Sequence, residues 1–141
     1  RGMQQREIKS LSPQEIADLQ AGRGMGLALA AALNGYPGPL HTLELAEPLK
    51  LSPEQQARTR EVFARMQVEA RALGAEVIAA ERALDALFKE RTVTAEKLAA
   101  ATDAAARAQG RLRAAHLRHH LQMMEVLAPE QVDAYQRLRG Y

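Results

Sequence analysis

Three of the four histidines lie within nine consecutive residues near the C-terminal end of the chain, together with two of the five methionines. On an α-helix, His116, His120 and Met124 stand at positions i, i+4 and i+8, with one side chain per turn along a single stripe. A second pair, His119 and Met123, lies one position away. Imidazole nitrogen and thioether sulfur together suit copper above all, and nickel, cobalt or zinc where a carboxylate joins. The segment therefore predicts a transition-metal site, and core packing beside a helix end is the alternative.

A complete site needs a second segment, because one helix supplies at most two or three ligands to one ion. His41 precedes the long helices and can fold back against their open end, where residues 116–124 also lie. We therefore expect His41 to join the site. Glu44 follows His41 by three residues and is a further candidate, as are Glu61 and Glu69, although a solvated helix face is the commoner place for these carboxylates.

Few other chemistries are open to this chain. It contains no cysteine, which excludes disulfide frameworks, thiolate zinc sites and cysteine nucleophiles. It contains neither a Gly-x-Ser-x-Gly elbow nor a His-Glu-x-x-His motif, so two common hydrolase signatures are absent. The glycine-rich segment Gly22–Gly26 has no strand signal before it and is better explained as a hinge than as a phosphate-binding loop. We predict that the protein is not an enzyme.

The charge balance argues against a nucleic-acid partner. The 19 basic and 17 acidic side chains are interleaved and leave a formal net charge of +2, whereas a dedicated nucleic-acid binder clusters its cations on one face. The longest apolar run, Met25–Leu33, is far shorter than the roughly 20 residues that cross a bilayer, so no transmembrane helix is predicted. The chain starts at Arg1 rather than Met, and we expect that a signal peptide or membrane anchor has been removed.

The composition favours an all-α fold. Alanine is abundant, aromatic residues make up only 4% of the chain, and no long run of β-branched residues occurs. With 141 residues, the chain is long enough for one domain, which we predict to span residues 1–141. The first 50 residues predict short helices, which include Leu27–Leu33 and one that starts at Ser12–Glu15, where a capping hydroxyl, a proline and a glutamate combine.

Residues 51–127 carry the longest periodic pattern. Ser52 and Thr94 are expected to cap two long helices, along which apolar or small side chains recur at steps of three and four. Because the connection around Thr92 is short, the two helices must reverse into an antiparallel hairpin. Gly74 is expected to weaken the first of them without ending it. An alanine-rich hairpin leaves apolar surface uncovered, so we predict a homodimer that forms a four-helix assembly.

Two copies of one helix-start motif flank this hairpin, Leu51–Gln55 (LSPEQ) and Leu127–Gln131 (LAPEQ), and the second begins a C-terminal helix within residues 128–141. The recurrence resembles the LTxxQ family of bacterial periplasmic proteins, which includes the Spy and CpxP chaperones, the zinc-associated ZraP and the CnrX-type metal sensors. The resemblance covers residues 40–141, and the metal-sensor branch is the closest. Ala128 replaces the capping hydroxyl of the second copy, which costs about 1 kcal/mol of local stability.

The resemblance implies a periplasmic hairpin that dimerises into a curved four-helix assembly. In metal-sensing relatives, a histidine before the hairpin and a His-x-x-x-Met pair on the second long helix bind the ion. His41 matches the first position, and the pair is matched either by His120 with Met124 or by the pair one residue earlier. The former is preferred, because His116 extends its stripe by one turn.

These observations together predict a periplasmic heavy-metal-binding sensor or resistance protein. Its ion, copper, nickel, cobalt or zinc, would join the His41 segment to the hairpin and order the short N-terminal helices. A partner such as a membrane-bound regulator would then detect the changed surface. The alternative from a different class is an ATP-independent chaperone of the Spy and CpxP kind, which holds unfolded client proteins on a broad basic and apolar face. A helical module without a ligand is the third alternative.

Overall fold

A computed structural model describes residues 2–141, and the α-helices and one 3-10 turn are the regular secondary structure of this part of the chain. A 3-10 turn at Met3–Gln5 precedes six helices: α1 (Pro13–Ala21), α2 (Leu29–Ala32), α3 (Pro39–Glu44), α4 (Pro53–Lys89), α5 (Ala95–Val126) and α6 (Pro129–Arg139). The prediction of an all-α fold is confirmed. None of the helices formed by residues 2–141 is long and apolar enough to cross a membrane.

The helices begin where the capping residues of the sequence lie. The Ser12 hydroxyl accepts a hydrogen bond from the Glu15 backbone N–H, and the Glu15 carboxylate accepts one from the Ser12 N–H, both at 3.0 Å. Ser52 and Gln55 make the same exchange at the start of α4. At the start of α5, the Thr94 hydroxyl accepts a hydrogen bond at 3.2 Å from the N–H three residues later. Each contact satisfies a backbone donor that the helix itself leaves unpaired, so the three predicted starts are confirmed.

The chain divides into two compact units. The first contains the segment up to Arg23 and Glu69–Leu112, and therefore α1, the C-terminal part of α4 and the N-terminal part of α5. Within it, Gln109 of α5 donates a hydrogen bond to Glu81 of α4 at 3.0 Å, and the Ser10 hydroxyl donates to the same carboxylate at 2.8 Å. These contacts hold the two long helices antiparallel in this unit and fasten the N-terminal segment to α4.

Gly74 lies where α1 comes very close to α4 within the first unit. A Cβ atom at this position would stand 2.3 Å from the backbone oxygen of Leu19, far inside van der Waals contact. The expectation that Gly74 only weakens the helix is therefore incomplete, because its missing side chain permits the close approach of the two helices. At Gly110 of α5, a Cβ atom would have no neighbour from outside its own helix backbone within 4 Å.

The second unit contains Gly24–Val68 and Arg113–Tyr141, and it carries α2, α3, α6 and the remaining parts of the long helices. Its buried apolar core draws on four segments: Leu49, Leu51, Val62, Met123, Val126, Leu127 and Tyr135. Because Val62 lies near the start of α4 and Met123 near the end of α5, the long helices are antiparallel in this unit also. Helix α2 is shorter than predicted, because Gly26 adopts a left-handed backbone at φ 76° and no side chain caps the helix.

The packing of α4 with α5 is established, and their connection is a tight one in which Arg91 has a positive φ of 57°. The single-domain span of residues 1–141 and the homodimer stay predictions.

Candidate metal centre

A cleft of about 270 Å³ lies in the second unit, with walls from all five helices of that unit. Three of the four histidines line it: His41 from α3, and His116 and His120 from α5. Met66 of α4 and Tyr135 of α6 line it as well. The cleft therefore brings together histidines that the sequence analysis selected from two separate segments.

His120 is held in one orientation by the backbone. Its Nδ1 atom lies 2.8 Å from the carbonyl oxygen of Tyr36. A carbonyl only accepts, so Nδ1 carries the proton and donates it, which leaves Nε2 with its lone pair. The backbone at Gly38 makes room for the ring, since a Cβ atom there would stand 3.0 Å from Cε1 and 3.1 Å from Nε2. A fixed tautomer of this kind is how metal-binding imidazoles are usually oriented.

The surroundings of His120 favour its neutral form. Burial lowers the pKa of His120 below its usual value, and the neighbouring His119 and His41 lower it further. The hydrogen bond to the Tyr36 carbonyl acts in the opposite direction and raises the pKa, but burial is the larger effect. A neutral imidazole is the form that binds a metal ion, so the ring is prepared for that role at neutral pH.

His41 has a carboxylate behind its ring. Its Nδ1 atom lies 2.9 Å from Oε2 of Glu44, three residues further along α3. An ionised carboxylate only accepts, so Nδ1 donates, and in the neutral ring Nε2 is the nitrogen with the lone pair. In this arrangement Glu44 orients the His41 ring through a hydrogen bond. It is not placed as a direct metal ligand, the role considered for it in the sequence analysis. The His41 side chain is 42% exposed, so the ring has room to move relative to the cleft.

The second predicted pair on α5 lies elsewhere. His119 is 2% exposed and its Nδ1 contacts the carbonyl oxygen of Ala115, one turn earlier. Met123 is fully buried in the apolar core of the unit. Both residues lie on the buried stripe of α5, so helix packing accounts for their positions. Met124 is 39% exposed and does not line the cleft, although it follows His120 by one turn of α5, so its predicted pairing with His120 stays a prediction.

The sequence analysis did not propose Met66 as a ligand. Its spacing puts it on the apolar face of α4, where methionine is ordinary core material. The register of the hairpin, which the structure supplies, reveals it: Val62 shares a core with Met123, and Met66 lies one helical turn further along α4. In an antiparallel pair, that turn stands beside the turn of α5 that carries His120.

The carboxylates of α4 do not contribute to the cleft. Glu61 forms an ion pair with Arg65 at 3.5 Å, and Glu69 belongs to the first unit. Among residues 2–141, no three His, Asp or Glu side chains lie close enough together to hold one ion as they stand. The side chains of the cleft nevertheless include donors of the type that transition metals prefer, because two oriented imidazoles and a thioether line it together. His41 would complete such a site by moving toward α5.

Comparison with protein families matches residues 22–134 to the heavy-metal resistance family. The chain belongs to this family. The matched range includes His41, Met66, His116 and His120, and thus every imidazole and thioether that lines the cleft. No curated protein and no solved structure matches the chain significantly.

Membership of the heavy-metal resistance family confirms the broad family that the LTxxQ pattern indicated. The CnrX-type branch within it stays a prediction. A function related to heavy-metal resistance follows from the membership, and the family is not a known enzyme family.

Proposed function

We propose that this chain is a periplasmic heavy-metal sensor or resistance protein that binds a transition-metal ion in the cleft of its second unit. The observation that carries the proposal is the convergence of His41, His116 and His120, from two distant segments, on one cleft. Two of the three rings have Nδ1 hydrogen-bonded to an oxygen acceptor, which directs Nε2 to a ligand. Membership of the heavy-metal resistance family supports this assignment.

The signal would pass through α3. This helix has only six residues, and its first turn is tied to Gly38, whose carbonyl accepts a hydrogen bond from the Thr42 hydroxyl at 2.6 Å. The Gly38 N–H in turn lies 3.5 Å from the hydroxyl oxygen of Tyr135 in α6. When His41 moves toward α5, the movement reaches Gly38 and, through it, the packing of Tyr135. The proposed output is therefore a change at the surface formed by α3 and α6.

We propose a homodimer as the working form, with a membrane-bound regulator as the partner that detects the change. Large apolar side chains of the second unit support a partner surface: Leu29, Leu33 and Leu121 are each more than half exposed, at 53%, 57% and 58%. A second copy of the chain would cover them. Sedimentation velocity at micromolar concentrations tests this point, and a stable monomer would contradict it.

The same apolar surface is the observation that favours the chaperone alternative. A shallow pocket lined by Tyr36, Leu117 and Leu121, with Ala30 and Ala31, has almost wholly apolar walls. An unfolded client exposes apolar segments of the kind that such a surface holds. Under this alternative, protection of a client against aggregation requires no metal and is unaffected by His41→Ala.

A binding experiment with single-residue variants tests the proposed function. Copper, nickel, cobalt and zinc are added separately to the parent chain and to the His41→Ala, His120→Ala and Met124→Leu variants, and thermal unfolding is followed. An ion that binds only the folded chain raises the melting temperature by mass action, so the parent and the Met124→Leu control are expected to respond. The two histidine variants should lose most of the response.

Hydrogen exchange then separates the sensor from the chaperone. In the parent chain, the ion should slow exchange in residues 24–50, and His41→Ala should abolish this effect while the amides of α4 and α5 stay protected. If no ion changes either melting or exchange, and clients are protected without metal, the sensor proposal is wrong and the chaperone is favoured.

A further inference from the structure

We infer that the cleft is selective for Cu(I), and that Met66 is the thioether donor that makes it so. The inference rests on the proposed function, because it names the ion class that the same cleft takes. It replaces the predicted His-x-x-x-Met pairing on α5 with a donor set drawn from α3, α4 and α5. Three features of the cleft carry it.

The first feature is the position of the three candidate methionines. Met66 lines the cleft together with the histidines, and it is the one methionine among the described residues of the cleft wall. Met123 is fully buried in the apolar core, so its sulfur could reach an ion only if the core opened. Met124 is exposed and outside the cleft wall. The methionine side chain has three rotatable bonds, so the Met66 sulfur can change its position within the cleft.

The second feature is the small number of hard donors. Among residues 2–141, no three His, Asp or Glu side chains are gathered for one ion. Nickel, cobalt and zinc in proteins are held by several nitrogen and oxygen ligands in a defined geometry. Cu(I) has a filled d shell, prefers soft sulfur and imidazole ligands, and is stable with few of them. A site that joins histidines of this cleft to the Met66 thioether therefore meets the needs of Cu(I) more fully than those of the divalent ions, which a thioether serves poorly.

The third feature is the charge of the cleft wall. No carboxylate occurs among its described lining residues, and Arg139 is a lining cation. Apolar side chains line much of the remainder, including Leu29, Pro39 and Leu40. The free energy lost when an ion leaves water rises steeply with its charge, and the Glu44 carboxylate behind His41 offsets only part of that loss. A monovalent ion is therefore favoured over a divalent one.

The test compares Met66→Leu with the matched control Met124→Leu, since both changes replace a methionine on a long helix by a residue of similar volume. Cu(I) affinity is measured anaerobically by competition with a chromogenic Cu(I) chelator, and Zn(II) affinity by competition with a zinc indicator. We expect Met66→Leu to weaken Cu(I) binding by about tenfold or more and to change Zn(II) binding by less than about twofold. Met124→Leu should leave both affinities unchanged.

A spectroscopic measurement makes the result independent of any effect of Met66→Leu on folding. With methyl-labelled methionine in the parent chain, Cu(I) should shift the Met66 methyl resonance strongly and the Met124 resonance little. X-ray absorption at the copper edge should show sulfur scattering that Met66→Leu removes. A shift confined to Met123 or Met124 would overturn the inference.

The failure of the inference and that of the proposed function give different results. If His41→Ala and His120→Ala leave both Cu(I) and Zn(II) affinities unchanged, the cleft is not the metal site, and the proposed function and the inference are both wrong. If these variants lose metal but Met66→Leu keeps the parent ratio of Cu(I) to Zn(II) affinity, the proposed function stands and the choice of ion and thioether is wrong.

Discussion

Gln55 and Gln131 hydrogen-bond to each other in both directions. Nε2 of Gln55 donates to Oε1 of Gln131 at 2.7 Å, and Nε2 of Gln131 donates to Oε1 of Gln55 at 3.0 Å. Each Oε1 also accepts the N–H of the first residue of its own helix start, Ser52 at 3.0 Å and Ala128 at 2.9 Å. The glutamine of each motif copy thus caps its own helix and binds the other copy across 76 residues of sequence.

The same two amides also reach backbone oxygens. Gln55 donates to the Val126 carbonyl and Gln131 to the Leu49 carbonyl, both at 3.1 Å. Val126 ends α5, whose last carbonyls the helix leaves unpaired, and Leu49 lies in the turn before α4, so the pair provides a donor to both carbonyls. The repeated LSPEQ and LAPEQ sequences are therefore explained by one polar network that closes this end of the second unit.

Replacement of either glutamine by alanine should destabilise the chain by about 1–3 kcal/mol, because several partly buried backbone and amide groups lose their partners. In the double variant Gln55→Ala/Gln131→Ala, the loss should be clearly smaller than the sum of the two single losses, since the two residues share one network. Urea unfolding at equilibrium measures all three. The exposed Gln14→Ala serves as control and should change stability by less than about 0.5 kcal/mol. Strict additivity of the two single changes would contradict the network.

Ala128→Ser should stabilise the chain by about 1 kcal/mol. Ala128 has the extended backbone of an N-cap residue, with φ −73° and ψ 155°, but no side-chain cap hydrogen bond. A serine hydroxyl here can accept the N–H of Gln131, as the Ser52 hydroxyl accepts that of Gln55. The reverse change, Ser52→Ala, should lose a similar amount, and urea unfolding compares the two. A neutral effect at Ala128 would show that Gln131 alone caps α6.

Gly74→Ala and Gly110→Ala should act in opposite directions, although both glycines lie inside long helices of the first unit. Alanine is the better helix former by about 1 kcal/mol, so Gly110→Ala, with open space around its Cβ, should stabilise the chain. At Gly74 the new Cβ would meet the Leu19 carbonyl oxygen at 2.3 Å, and α1 must move away. We expect a loss of about 1–3 kcal/mol, as for other overpacked sites. Stabilisation by both changes would contradict the close approach of α1.

This contrast marks what the sequence can predict. Capping residues and the three-four periodicity act locally, so the helices, their order and the buried stripe that includes Ala105, Leu112 and Met123 follow from the sequence. Gly74 and Gly110 look alike in sequence, and only the position of α1 distinguishes them. To distinguish the two glycines, one must know how α1 packs against α4, and that is a tertiary contact.

The candidate site shows the same limit. Helical spacing places His116 and His120 on one stripe of α5, and both line the cleft, because that relation is internal to the helix. It also selected Met124, which is exposed and does not line the cleft, and it gave no reason to select Met66 on another helix. Which side chains meet across two helices depends on register, and no local pattern encodes it.

Acid should destabilise the metal-free chain partly through His120. Its folded-state pKa lies below the ordinary value of 6.5, chiefly because of burial, so the unfolded chain binds more protons than the folded one in the pH range just below 6.5. The stability is complete above pH 6.5 and decreases as the pH falls toward the folded-state pKa. NMR titration of the ring should give a midpoint below 6.5. In His120→Asn the decrease of stability between about pH 7.5 and pH 5 should be smaller than in the parent.

Gly38→Ala should disturb the orientation of His120 without a backbone penalty. Gly38 has φ −88° and ψ 154°, an extended conformation that alanine adopts readily. The added Cβ would stand 3.0 Å from Cε1 and 3.1 Å from Nε2 of His120, so the ring must shift by a few tenths of an ångström. That shift lengthens the 2.8 Å hydrogen bond from Nδ1 to the Tyr36 carbonyl, which fixes the tautomer. The site would then hold its imidazole less well, while the core beside it stays packed.

The measurement is a comparison of ring nitrogen NMR signals and metal affinity in Gly38→Ala and in the control Gly35→Ala, where no atom lies near the new Cβ. In the parent chain, Nδ1 of His120 should be the protonated nitrogen, and in Gly38→Ala the two tautomers should mix. Affinity for Cu(I) should fall by about 10–100-fold, as when the hydrogen bond that orients a metal-binding histidine is removed. Gly35 has a φ of 88°, so its variant reports backbone strain alone and should keep both the tautomer and the affinity. Equal losses in the two variants would show that general destabilisation, and not the orientation of His120, governs binding.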